Sequence, residues 1–252
     1  MHAAETIDPF ILGMFERRGR LFLNVEDAYS GKATQLLDEE GVVAISDVCD
    51  AHVCNRLVLN ICRLKETNST RIDQPEFRSD WPQYYGGYAT QIFMDAIEVV
   101  GAVLGDRLTN NPKVTEFSCM ISYPGAERQK PHPDVRHTDG VAEMYSVFIP
   151  LLNQTLGMGP LLTWPKTHLE FPSKLKTDET VPMVANAGSI VIMNSRLFHC
   201  GGRNNSKQAR PVFYFTLQGE GPEPMGSTLS ILPEFEGMRV RDFLDMSGGT
   251  NK

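Results

Sequence analysis

The apolar residues of this chain change period near position 114, and that change limits the architectures open to it. Val53, Leu57, Ile61 and Leu64 recur at helical spacing, and in residues 89–104 Ile92, Phe93, Ala96, Val99, Val100 and Val103 mark the inward face of a longer helix that ends near Gly105. A shorter helical stretch, 33–40, stops at Gly41 and is followed by a β-type run, 42–45, after which Ser46 or Asp47 is placed to cap the next helix. From Val114 onward the pattern is one of strands and turns: 114–123, 144–152, 160–164, 189–194 and 211–217. Helices first and strands afterwards predict an α+β fold, a double-stranded β-helix (cupin-like jelly roll) buttressed by N-terminal helices. On this reading residues 1–110 are the helical part, 114–217 the jelly-roll core and 218–252 a C-terminal extension with one short helix at 240–244, all in a single domain.

Charge and cysteine usage narrow the function classes. A formal net charge of −7 without any cluster of Lys and Arg gives no attraction to phosphate backbones or anionic lipid, so neither nucleic acid nor a membrane is expected as a partner. No run of about 18 apolar residues is present to span a bilayer. The five cysteines, Cys49, Cys54, Cys62, Cys119 and Cys200, are odd in number and lack metal-type pairing, which predicts a reducing compartment. Glu5 and Asp8 precede the short apolar run 10–15, unlike a signal peptide, and the closing Thr250-Asn251-Lys252 is not a peroxisomal signal; a cytoplasmic location is the expectation. Nothing in the sequence speaks to oligomeric state.

Chemistry concentrates in residues 123–134. There Pro124-Gly125 makes a tight turn, and His132 and Asp134 follow two residues apart, so that on extended backbone both side chains point the same way. Two imidazoles and one carboxylate on one face of an ion, with the other positions open, make the facial triad of non-haem Fe(II) oxygenases. His199 is the candidate third ligand, because a β-type run led by Gly188 delivers it to the turn Gly201-Gly202. Eleven residues further on, Arg210 opens another strand and suits a carboxylate, which a guanidinium holds through two parallel bonds.

Taken in order, Pro124-Gly125, Gln129, His132, Asp134, His199 and Arg210 resemble the pattern of the phytanoyl-CoA dioxygenase family of Fe(II)- and 2-oxoglutarate-dependent oxygenases. A second segment, from Gly159-Pro160 to Pro165-Lys166-Thr167-His168, is similar to a Gly-Pro…Pro-x-Thr-His stretch of that family, and the likeness extends over residues 33–217. Two positions depart from it: Lys166 stands where the family usually has Gly, and Gly201 where some members carry a Ser near the co-substrate. The resemblance implies an enzyme that uses Fe(II), 2-oxoglutarate and O2 to oxidise, most often to hydroxylate, a C–H bond of a small-molecule substrate, releasing succinate and CO2. It implies His132, Asp134 and His199 as metal ligands and Arg210 as the clamp on the far carboxylate of 2-oxoglutarate. It also selects between two His-x-Asp pairs. The family's seven-residue step from the Gly of Pro-Gly to the metal His is met by Gly125 and His132, which leaves His137 and Asp139 beside the metal set or at the substrate rim.

Other residues have two readings. The Gln129 amide fits the co-substrate carboxylate or an iron-bound water, and equally a side chain that stabilises its own turn. Residues 65–87, with Trp81, Tyr84 and Tyr85 before Gly86-Gly87, fit a surface loop pinned by aromatics, and also a lid over the metal mouth that contacts substrate, with the run 10–15 as helper. Of Phe213 and Tyr214, neighbours on one strand, one must face the barrel interior. His168 reads as structural. The alternative to an oxygenase is a non-catalytic cupin-like binding module with a degenerate metal site.

Overall fold

Alternation along the strands decides which side chains meet the helices and which enclose the space between two sheets. The computed structural model describes residues 19–63, 77–108, 111–138 and 140–248. Its strands are β1 (Phe22–Leu23), β2 (Val42–Ile45), β3 (Arg78–Pro82), β4 (Lys113–Ser122), β5 (Met144–Pro150), β6 (Leu161–Thr163), β7 (Val181–Met183), β8 (Ile190–Asn194), β9 (His199–Gly201) and β10 (Arg210–Gln218). A seven-stranded sheet has the order β1-β2-β8-β5-β10-β4-β3, and a three-stranded sheet has the order β7-β6-β9. The helices are α1 (Val25–Tyr29), α2 (Lys32–Glu40), α3 (Ala51–Arg63), α4 (Gly87–Leu104) and α5 (Val240–Gly248). The result is an α+β jelly roll of the cupin type.

One face of the large sheet is dry. Phe117, Cys119 and Ile121 of β4, Val147 and Ile149 of β5, Ile190 and Ile192 of β8, and Phe213 and Phe215 of β10 share a core with Val53, Leu57 and Ile61 of α3 and Ile92, Phe93, Ala96 and Val100 of α4. Phe93 sits in an aromatic cluster, its ring centroid 5.6 Å from Phe117, 4.9 Å from Phe215 and 5.5 Å from Phe243 of α5. Alternate residues turn the other way: Val42, Ala44, Val191 and Met193 meet Val181 and Met183 of the small sheet. Over Gly87–Arg107 the chain is long and apolar enough, at a mean hydropathy of 1.2, to qualify as a membrane crossing, contrary to the expectation from apolar runs. Its inward residues are buried under the sheet, the pattern of a core helix.

Helix ends follow local backbone chemistry. Gly41 ends α2 at φ 79, its N–H bonded to Leu37 O, and a Cβ there would lie 2.4 Å from His168 Nδ1, so glycine is required on two counts. The next helix starts later than Ser46 or Asp47 would allow. Residues 46–50 are spent on a turn in which Val48 and Cys49 both donate to Gly188 O, and Asp50 then accepts from His52 N at 2.7 Å.

In its described part the aromatic stretch before Gly86 does not form a lid. Its described part, from Phe77, runs into β3, which pairs antiparallel with β4 in the register Trp81↔Cys119. Cys119 is on the helix-facing side, so Trp81 is as well; it is 8% exposed, and its indole N–H donates to Ser79 Oγ at 2.8 Å. Tyr85 packs edge-on against Phe243 at 4.9 Å and Phe93 at 6.4 Å, while Tyr84 is exposed to solvent. The run 10–15, named as a helper, lies outside the described residues. Trp81→Ala should therefore cost about 3–5 kcal/mol of folding stability, the usual range for deleting a buried large aromatic, in a denaturant titration. Metal stoichiometry should be unaffected, and an unchanged unfolding midpoint would contradict the packing described.

Candidate metal and co-substrate site

Two backbone hydrogen bonds assemble the centre. His132 N donates to His199 O at 3.0 Å and His199 N donates to His132 O at 2.9 Å, a one-rung antiparallel bridge between the segment after the Pro124-Gly125 turn and β9. Asp134 follows two residues later, anchored by its N–H to Ser195 O at 2.9 Å. The ligand-type atoms of His132, Asp134 and His199 all lie within 4.8 Å of one another, a set that could hold a metal ion. Each imidazole has Nδ1 against a carbonyl, His132 on Lys130 O at 2.8 Å and His199 on Leu197 O at 2.9 Å. A carbonyl only accepts, so Nδ1 carries the hydrogen and Nε2 keeps its lone pair for the centre. His199 Nε2 is 3.3 Å from Asp134 Oδ1. Burial favours the neutral form of both groups, yet their mutual attraction overrides it: Asp134 is held below the usual carboxylate range, and His199 above the usual imidazole value.

A cationic rung lies beside this set. Register places Arg78 of β3 and Arg210 of β10 on either side of Ser122 of β4, all on the sheet face away from the helices. Arg210 is 6% exposed; its Nη2 donates to Ser122 Oγ at 3.2 Å and its Nε has no partner. Burial, with the charge of Arg78 behind it, lowers Arg210 to about 10, still cationic at neutral pH. Gln129 closes the group by accepting from Gly201 N at 2.8 Å. A Cβ at Gly201 would come 2.7 Å from Gln129 Oε1 and 3.5 Å from Arg210 Nη2, so the departure from Ser at this position keeps a space between amide and guanidinium open.

These residues line a cavity of about 630 Å³ between the sheets. Its walls come from strand positions of one parity: Glu116 and Met120 of β4, Ser146 and Phe148 of β5, Val212 and Tyr214 of β10. Tyr214, not Phe213, is the interior-facing residue of its pair; its hydroxyl donates to Asp80 Oδ2 at 3.0 Å, and its ring stacks on Phe148 with centroids 6.1 Å apart. Residues 222–230 cross the mouth. Met225 O accepts from Arg136 N, Ser230 O accepts from Phe117 N, the Thr228 hydroxyl donates to Glu116 Oε1 at 2.9 Å, and the Ser230 hydroxyl donates to Asp80. Burial, reinforced by the charge of Asp134, pushes Glu116 up to about 7. Sequence reading missed Glu116, Phe148, Phe171 and this strap. The alternation on β4 marked a two-faced strand but not which face was enclosed.

The second His-x-Asp pair stands apart. His137 Nε2 is 2.9 Å from Arg196 O, its ring is edge-on to Phe171 at 5.6 Å, and it is not among the cavity-lining residues. Asp139 lies outside the described residues. Trp81, Tyr84 and Tyr85 do not line the cavity either; Phe171 and Met225, both exposed, stand at its mouth. Lys166 has φ 71, a conformation suited to the glycine usual at that position, and its N–H bonds Glu40 O at 2.9 Å. His168 Nε2 is 3.1 Å from Asp38 O at the end of α2, away from the cavity.

A family model described as Phytanoyl-CoA dioxygenase (PhyH) matches residues 37–212. No curated protein sequence matches the chain. Among solved structures, the chain is similar to the non-heme alpha ketoglutarate dependent epimerase SnoN from nogalamycin biosynthesis, with a TM-score of 0.64 at 14% identity over 77% of this chain and 82% of that one. It is also similar to the carbocyclase SnoK from the same biosynthesis, at 0.62 and 14% over 76% and 86%. HygX from Streptomyces hygroscopicus, solved with nickel and 2-oxoglutarate bound, gives 0.59 at 11% over 82% and 94%. At such identities the likeness is one of fold.

The geometry sets the register of metal binding. His132→Ala should abolish stoichiometric uptake of a divalent metal, measured by equilibrium dialysis, whereas His137→Ala should retain it. The reverse result would move the centre to the other pair.

Proposed function

The chain belongs to the phytanoyl-CoA dioxygenase family and is an Fe(II)- and 2-oxoglutarate-dependent oxygenase, and from that premise we propose that it hydroxylates a C–H bond of a small organic substrate held in the cavity. The observation that carries this reading is the meeting of three metal-type donors within 4.8 Å of one another with a buried arginine whose Nε lacks a partner. Two neutral imidazoles and one carboxylate fit iron, and the guanidinium fits a carboxylate. On this reading His132 and His199 hold the metal through Nε2 and Asp134 through a carboxylate oxygen. When bound, iron with 2-oxoglutarate and O2 supplies the oxidising chemistry, and succinate and CO2 are the spent co-substrate.

The chain's own residues then have defined tasks. Arg210 orients 2-oxoglutarate by its far carboxylate. The Oε1 of Gln129 is occupied by Gly201 N–H, so its NH2 is the group left to donate into the site. The Lys130 and Leu197 carbonyls hold the imidazoles in the tautomer that a metal requires. Met120, Phe148 and Val212 keep water from the reacting carbon. Crystal structures of SnoN with nogalamycin RO and of HygX with hygromycin B support a small organic molecule as substrate. The buried thiols of Cys49, Cys54 and Cys119 suit a reducing, cytoplasmic setting. A degenerate binding module is disfavoured, because the donor set has no missing member.

Protein supplied with Fe(II), 2-oxoglutarate and O2 should form succinate, and a substrate screen by mass spectrometry should return a product heavier by one oxygen atom. A product lighter by two hydrogens would replace hydroxylation with desaturation or ring closure. Arg210→Ala should weaken 2-oxoglutarate binding by about 2–5 kcal/mol, the range for truncating one partner of a buried charge pair, and Lys should restore only part because it cannot form the fork. Unchanged affinity in calorimetry would remove Arg210 from the co-substrate site.

A further inference from the structure

We propose that Glu116 anchors the substrate and that it takes a protonated amine carried on an apolar body; the inference rests on the oxygenase reading above. Glu116 projects from β4 into the cavity and is partly buried. Its two oxygens accept from Thr216 Oγ1 at 2.5 Å and Thr228 Oγ1 at 2.9 Å, neutral donors that fix the carboxylate without balancing its charge. Among the described residues no Lys, Arg or His forms an ion pair with it: of the cavity-lining groups, Arg136 is exposed, Arg210 bonds Ser122, and His199 pairs with Asp134. The other acid on this wall, Asp80, is accounted for by the hydroxyls of Ser118, Tyr214 and Ser230.

A carboxylate enclosed in a largely apolar cavity without a counter-ion is costly, and a cation arriving with the ligand offsets that cost. Burial, reinforced by the charge of Asp134, already pushes Glu116 above the usual carboxylate range. Its surroundings suit the remainder of such a ligand, since the stacked rings of Phe148 and Tyr214 form a flat wall and Met120 and Met225 add adaptable apolar surface. Distance favours a role near the chemistry. Thr216 Oγ1 is 3.1 Å from Ser146 Oγ, and Ser146 Oγ is 3.4 Å from Asp134 Oδ2, so two hydroxyl oxygens separate the anchor from the candidate metal ligand. An amine held there would place its neighbouring carbons toward the centre.

The test compares phenethylammonium with 2-phenylethanol, its uncharged counterpart, by calorimetry on protein loaded with Mn(II) and 2-oxoglutarate without O2. Wild-type protein should bind the amine at least about tenfold tighter than the alcohol, and Glu116→Gln should bring the two within about twofold while leaving metal stoichiometry and 2-oxoglutarate affinity unchanged. Glu116→Met, close in volume and without charge, takes the place of Glu116→Gln if that variant does not fold, and should likewise bring the two probes within about twofold. Equal binding of the two probes to wild type, binding of neither, or a preference that survives in Glu116→Gln would overturn the proposal. Wild-type protein that binds neither Mn(II) nor 2-oxoglutarate would instead count against the oxygenase reading, and the amine and alcohol would then be compared on metal-free protein.

Discussion

The pleat of the large sheet is the constraint on which the rest depends. Because neighbouring side chains on a strand point to opposite faces, each long strand carries two separate tasks, and pairing register aligns those tasks across the sheet. Phe117, Cys119 and Ile121 sit over α3 and α4, while Glu116, Ser118, Met120 and Ser122 of the same strand turn into or beneath the cavity. Strand β10 repeats the division, with Phe213 and Phe215 on one side and Arg210, Val212, Tyr214 and Thr216 on the other. A slip of one residue would expose the aromatic cluster and bury the arginine in it, so the apolar core that stabilises the fold also fixes the aim of the polar groups. The irregularity in the β4–β10 pairing falls between Thr216 and Leu217, just past the pair Thr216↔Glu116, and leaves the functional rungs in phase.

The small sheet contributes position as well as apolar packing. His199 and His132 face each other through a reciprocal pair of backbone bonds, so their spacing does not depend on the loops that deliver them. Nearby backbone carbonyls then set each ring, and Ser195 O sets Asp134. A centre built mainly on backbone geometry leaves the cavity walls free to vary. Phe148, Tyr214 and Glu116 are side-chain features laid over that frame, and the strap at 222–230 is tied to it by backbone bonds.

What could be read from the residues depended on how local the signal was. Helices 32–40 and 87–104 and the longer strands announce themselves through spacing and through Gly41 and Gly105, and the structure holds them at nearly the expected bounds. His132, Asp134, His199 and Arg210 were legible because chemistry and order coincide at these positions, and the chain brings them to one place. Trp81 was misplaced for a non-local reason: an aromatic, Pro-containing stretch reads as a loop until β4 is there to pair with it. Glu116 was silent, since a single acid on an alternating strand looks like a solvent-facing residue unless a second sheet and a distant Thr228 enclose it. Lys166 shows the converse, a departure in sequence that the backbone accommodates at φ 71.

The rung Arg78, Ser122, Arg210 bears on more than recognition. Two guanidinium groups held under cover on either side of one serine repel each other, and burial, with that repulsion behind it, lowers the proton affinity of Arg210. An anion that enters relieves it and binds only the folded chain, so it becomes a component of the folding equilibrium itself. By mass action, the fraction of chains open to proteolysis falls as that anion accumulates. On the co-substrate role proposed for Arg210, resistance of this protein to proteolysis would follow the abundance of a metabolite.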